Sequence, residues 1–173
     1  VRGRMPTMEI INERFARNIR IGLFNFIRKS PEIAIGGIKV QKYSAFLREI
    51  VVPTNFNIVT VRPLRGNGLI ICAPALVCAV IAALFGGAGK YPTRIEGRDF
   101  SPTEQRIIQR LVEVVTAEYR KAWQGVYPLD LEYLAFDHSQ GDVRKQAQDA
   151  EVVLGGRHRH RLGVEEIADE DRG

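Results

Sequence analysis

The chain has 173 residues, 45% apolar and 26% charged, with a net charge of +5. This is enough length for one domain with a real core, and the balance excludes a disordered or fibrous chain. Two cysteines, Cys72 and Cys78, sit in apolar sequence without Cys-x-x-Cys spacing and far from all three histidines, which excludes a disulfide scaffold and a Cys/His metal site and suits buried thiols in a reducing compartment. The charge is uneven. Residues 1–134 carry 19 Lys and Arg against 11 Asp and Glu, and residues 135–173 carry 6 against 9. A basic body suits an acidic partner or surface. The arginines stand at helical spacing among Glu9, Glu13 and Glu104, without the aromatic-basic interleaving of RNA-binding chains, so they read first as a solvated face.

No secretory signal precedes the first amphipathic segment, since Val1-Arg2-Gly3-Arg4 leads directly into charged sequence. Residues 8–29 predict a long helix. Ile11, Phe15, Ile19, Leu23, Phe26 and Ile27 recur at spacings of three and four, and Ser30-Pro31 stops the pattern. Residues 33–43 alternate as a strand bent at Gly36-Gly37, and residues 44–49 suit a short helical turn. Residues 55–63 predict a second strand, with Phe56, Ile58, Thr60 and Arg62 on one face and Asn57, Val59 and Val61 on the other. Arg65-Gly66-Asn67-Gly68 has tight-turn chemistry. Residues 69–73 then predict a strand apolar on both faces, and so central.

Residues 69–85 carry no charge. Seventeen residues lie at the lower edge of what spans a bilayer, and Pro74 divides the run into a strand and an alanine-rich helix. It is read as strand, turn and helix inside a core.

That helix delivers Leu84-Phe85-Gly86-Gly87-Ala88-Gly89-Lys90-Tyr91-Pro92. Three glycines in four positions mark backbone that takes positive φ or admits a close approach. Gly89-Lys90 looks like the end of a phosphate-binding loop. The early glycine of that motif would fall on Leu84 and its metal-binding hydroxyl on Tyr91, and the preceding run reads as helix rather than strand, so a nucleotide site is set aside. Two readings remain. One is a helix C-cap followed by a long turn. The other is a bare-backbone docking surface, with Phe85, Tyr91 and Pro92 as apolar contacts and Lys90 as a charge.

Ser101-Pro102-Thr103-Glu104 opens a further helix with a capping box. Ile107, Ile108, Leu111, Val112, Val115 and Trp123 form its buried stripe, and Gly125 ends it. Residues 129–136 predict a strand. From about residue 135 the sequence has one aromatic, Phe136. Residues 142–154 suit a helix, but little of this tail can build a core, and weak order is expected over residues 135–173. Arg157-His158-Arg159-His160-Arg161 suits a flexible tail better than a metal or polyanion site, because it has no cysteine or carboxylate at ligand spacing. The elements favour a layered α/β or α+β domain.

Several stretches carry a resemblance: Glu9-Ile10-Ile11-Asn12-Glu13-Arg14-Phe15-Ala16-Arg17, Val52-Pro53-Thr54-Asn55, Arg62-Pro63-Leu64-Arg65-Gly66, Leu84-Phe85-Gly86-Gly87-x-Gly89, and the run from Pro92-Thr93-Arg94 through Glu96-Gly97-Arg98-Asp99-Phe100 to Thr103-Glu104-Gln105-Arg106. In this order they resemble the middle domain of the FliM family of flagellar motor switch proteins, over residues 1–134. The resemblance implies an α/β/α layered fold with internal pseudo-symmetry, related to the chemotaxis phosphatases of the CheC and CheX type. It implies a non-enzymatic component of the cytoplasmic flagellar ring, peripheral to the inner face of the membrane at the basal body and needing no cofactor. Its Gly-Gly-x-Gly loop would dock on FliG, with Phe85, Gly86, Gly87, Gly89, Lys90, Tyr91 and Pro92 as the contact residues. Neighbouring FliM subunits would pack side by side. In this family phosphorylated CheY binds a peptide upstream of the domain, and FliN pairs with a domain that follows it.

The sequence departs from the family's pattern in places. Ala88 stands where relatives commonly carry an acidic residue or proline, and Ala82-Ala83 replace a polar pair. No Glu and Asn occupy the positions that the phosphatase cousins use, so an alternative reading as a CheC-like phosphatase of phosphorylated CheY rests on fold kinship alone. Val1 already aligns inside the pattern, so the CheY-binding peptide is expected to be absent, and so is the FliN-docking domain. Residues 135–173 are expected to be a divergent tail, and the chain is then a partial middle domain over residues 1–134 with reduced stability, or a non-functional remnant.

Overall fold

A computed structural model describes residues 6–36, 38–41, 45, 48, 55–65, 67–86, 100–137, 150–156 and 161–167. The elements are α1 (Pro6–Ile27), β1 (Ala34–Ile35), β2 (Lys39–Gln41), β3 (Asn55–Arg62), β4 (Asn67–Cys72), α2 (Pro74–Leu84), α3 (Pro102–Trp123), β5 (Asp130–Asp137), β6 (Ala150–Gly156) and β7 (Arg161–Ile167). The fold is α/β. One seven-stranded sheet runs β1-β7-β6-β4-β3-β5, with β2 also pairing β7. β3 pairs antiparallel with both β4 and β5, and β4 pairs parallel with β6.

The 3.6-residue periodicity of α1 buries Ile11, Phe15, Ile19 and Leu23, with Phe26 and Ile27 half-buried at its end. The helix stops before the Ser30-Pro31 signal, because Arg28 turns into the left-handed region at φ 57° while its N–H still reaches Phe24 O at 2.8 Å. The expected bent strand over residues 33–43 is two short strands on either side of Gly36, each parallel to β7.

β3 and β4 are central, and their alternation sorts the side chains. Val59, Val61, Ile70 and Cys72 face one core, shared with α1, α2 and α3. Phe56, Ile58 and Leu69 are buried on the opposite face. Asn57 lies fully buried, and its Nδ2 donates to Asn55 Oδ1 at 2.5 Å and to Ile70 O at 3.3 Å. Residues 150–154, read from the sequence as part of a helix, run as strand in β6, so β-branched Val152 and Val153 follow their intrinsic preference. The side chains of β6 and β7 lie outside the described residues.

α3 begins as its sequence dictates. Glu104 N donates to Ser101 Oγ at 3.2 Å, and Ser101 N donates to Glu104 Oε2 at 3.4 Å. The reciprocal pair satisfies two amide donors that the first turn would leave unbonded. Ser101→Ala is expected to lower stability by about 1 kcal/mol. Urea denaturation checks this, and an unchanged midpoint would show the cap to be redundant. α3 buries Ile108, Leu111, Val112, Val115, Tyr119 and Ala122 and ends before Gly125.

α1 and α3 pack tightly. The Phe15 ring meets Tyr119 edge-on with centroids 5.2 Å apart, and Tyr119 meets Trp123 at 6.2 Å. A Cβ placed on Gly22 would stand 2.9 Å from Glu118 Cγ and 3.1 Å from Val114 Cγ1, so the missing side chain admits α3.

Burial pushes the Cys72 thiol up to about 12. The native state therefore holds this proton more tightly than the unfolded chain does. Its contribution to stability is complete below about pH 9 and is lost as pH rises from there toward 12, at about 1.4 kcal/mol per pH unit. Native protein at pH 8 is expected to resist thiol labelling at Cys72 until it unfolds. Rapid native labelling would contradict the burial.

Candidate functional site

α2 is apolar on nearly every side because it sits in the core. Val77, Cys78, Val80 and Ile81 are buried, and Leu76 packs beside them. Pro74 fits the first turn, where its missing N–H costs nothing. The anchored helix carries its C-terminus outward.

At that end Phe85 donates its N–H to Ile81 O at 3.1 Å and has φ −89° and ψ 6°. Gly86 follows at φ +70°, a left-handed conformation that glycine takes without a Cβ penalty. The C-cap reading is thus realised at Gly86. The side chains project instead of folding back. Leu84 is 38% exposed and Phe85 61%, and a Cβ on Gly86 would meet nothing within 4 Å. Gly87, Gly89, Lys90, Tyr91 and Pro92 lie outside the described residues.

The structure therefore brings two of the seven expected contact residues, Phe85 and Gly86, to an exposed helix end. Leu84, which the expected contact set did not include, is exposed beside them. The available signal was position, since Leu84 is the last apolar residue of a helix about to leave the core. The glycines follow a helix, whereas a phosphate-binding loop must follow a strand, which supports setting the nucleotide reading aside. Among the described residues no group of three or more His, Cys, Asp or Glu could hold a metal ion. Among them, too, no helix is long and apolar enough to cross a membrane.

This arrangement offers protein contact: apolar side chains on a fixed helix end beside backbone bare enough for a partner to approach. Comparisons with known proteins identify the family. The family model described as flagellar motor switch protein FliM matches residues 1–161, which carries the match past residue 134. The flagellar motor switch protein FliM of Escherichia coli is 48% identical over 134 residues, covering 78% of this chain and 40% of that protein. The FliM middle domain of Vibrio alginolyticus superposes with a TM-score of 0.72 at 38% identity, covering 86% of this chain and 82% of that one. FliM in a FliG–FliM complex from H. pylori shares the fold at 24% identity, with a TM-score of 0.70 over 78% of this chain and 72% of that one. The chain spans 40% of the length of its E. coli relative. It belongs to the flagellar motor switch protein FliM family.

Proposed function

We propose that this chain acts as a component of the flagellar switch ring and docks on FliG through the loop that follows α2. The observation that carries the reading is the exposed Phe85–Gly86 terminus in a chain of this family. Phe85, Gly86, Gly87, Gly89, Lys90, Tyr91 and Pro92 form the contact, with the glycine backbone approached directly and Phe85, Tyr91 and Pro92 as apolar anchors. The solved complex of a FliM with FliG in H. pylori supports the choice of partner. The role is binding rather than catalysis. Neighbouring FliM subunits complete the ring, with phosphorylated CheY and FliN as partners of the whole protein. The site of action is the cytoplasmic face of the membrane at the flagellar base.

Titration of the FliG middle domain with this chain tests the proposal. Saturable micromolar binding that Phe85→Ala weakens is the expected result. Binding indifferent to the loop would move the contact elsewhere.

A further inference from the structure

We infer that FliG docks across a whole end of the sheet, covering Leu64 in the turn between β3 and β4, and Val126 and Tyr127 in the turn between α3 and β5, together with the end of α2. The inference rests on the docking proposed for the loop after α2 and widens that site.

Strand register brings the two turns together. β3 ends at Arg62, which pairs with Asp130, the first residue of β5. Adjacent strands lie about 4.8 Å apart, so residues 63–65 and 126–129 stand side by side at this end. α2 reaches the same end from the other direction. It leaves β4 after Cys72 through the single residue Ala73, and it packs on the core that holds Val61 and Ile70, so it runs back over the sheet. Its 11 residues cover about 16 Å, and the six of β4 cover about 17–20 Å. Leu84 and Phe85 therefore emerge level with the two turns.

Exposure singles out this end. Among the described residues ten large apolar side chains are exposed, and five of them gather here. Leu64 is 41% exposed, Val126 44% and Tyr127 46%, beside Leu84 and Phe85. Single exposed apolar residues are ordinary. Five from three separate connections at one end of a sheet form a patch, and patches mark contact sites. The patch is also held in place. Val126 and Tyr127 both donate their N–H to Trp123 O, at 3.0 and 3.1 Å, after Gly125 at φ +86°. Arg120 Nη1 lies 3.6 Å from Asp130 Oδ1, which ties the last turn of α3 to the start of β5. A partner thus meets side chains on a fixed turn, which lowers the entropy lost on binding.

Area and continuity select the occupant. A specific interface takes about 20–30 residues on each side. The stretch 84–92 has nine. A partner seated on Phe85 must cover further surface, and the two turns are apolar ground at the same level. The patch is continuous with the FliG contact, which makes FliG its occupant rather than a second copy of this chain.

Calorimetry of the FliG middle domain against the full chain tests this, with thermal melts of each variant. Tyr127→Ala is expected to weaken binding by about fivefold, and Leu64→Ala with Tyr127→Ala by about tenfold or more, with unchanged melting because both side chains are exposed. Ile35→Ala is the control. Ile35 pairs with Leu162, Leu162 with Gly156, and the preceding Gly155 with Ile71, which places this exposed residue at the opposite end of the sheet. It should bind within about twofold of the parent. A double variant that binds like the parent overturns the inference, and if Phe85→Ala still weakens binding, the loop reading survives alone. The reverse pattern upholds the two turns as the contact and removes Phe85 from it. A folded parent that binds no FliG overturns both. An equal loss in Ile35→Ala overturns the inference, and so does self-association that the double variant abolishes while FliG binding stays unchanged.

Discussion

Phe15→Ala is expected to destabilise the domain by about 3–5 kcal/mol, the range for removing a buried aromatic side chain. Phe15 is 3% exposed and stands edge-on to Tyr119, which in turn meets Trp123. The loss combines transfer free energy, a cavity between α1 and α3, and an edge-to-face contact worth about 0.5–1.5 kcal/mol beyond its area. A domain of this size has only about 5–15 kcal/mol in total, so the variant should unfold far earlier in urea. Ile10→Ala on the same helix removes a half-exposed side chain and should cost about 0.5 kcal/mol or less. Equal costs at the two positions would mean that α1 does not pack on α3 through Phe15.

Phe85→Ala is expected to weaken FliG binding by about 30-fold, a hot-spot loss of about 2 kcal/mol. It should leave stability within about 0.5 kcal/mol, because the side chain is 61% exposed and only its backbone N–H closes α2. That separation makes it a cleaner probe than the neighbouring glycine. Gly86→Ala has open space for its Cβ, yet left-handed φ costs an alanine about 1–2 kcal/mol. A binding defect there would mix lost contact with a loosened helix end. Calorimetry and a thermal melt on both variants resolve the two. A Phe85→Ala chain that binds FliG like the parent would remove Phe85 from the contact.

How much of this was legible in the sequence depends on how local each signal is. α3 was readable end to end, because Ser101, Pro102, Glu104 and Gly125 act within a turn of their own positions. The centrality of β4 was readable from its unbroken apolar run. Residues 33–43 were read as one strand, since periodicity does not show that Gly36 separates β1 from β2 on a common partner, β7. The course of residues 150–156 escaped because a short valine pair in polar sequence satisfies helix and strand patterns alike, and only pairing with β4 and β7 decides. Gly22 carried no local signal either, since its role is set by Val114 and Glu118, far along the chain.

At the candidate site the glycine cluster pointed to special backbone, and Gly86 confirms that at one position. The exposure of Leu84 could not be read, because it continues the same apolar helix as Ile81, which is fully buried. Where α2 leaves the core is a tertiary fact.

Titration calorimetry of the FliG middle domain against this chain and its Gly87→Trp variant, with thermal melts of both, tests whether the loop after α2 is the docking site. Micromolar binding by the parent is expected, lost in a variant that still melts like the parent, because a bulky side chain in place of bare glycine backbone would block a partner's close approach. A folded Gly87→Trp chain that binds FliG as tightly as the parent, or a folded parent that does not bind at all, would contradict it.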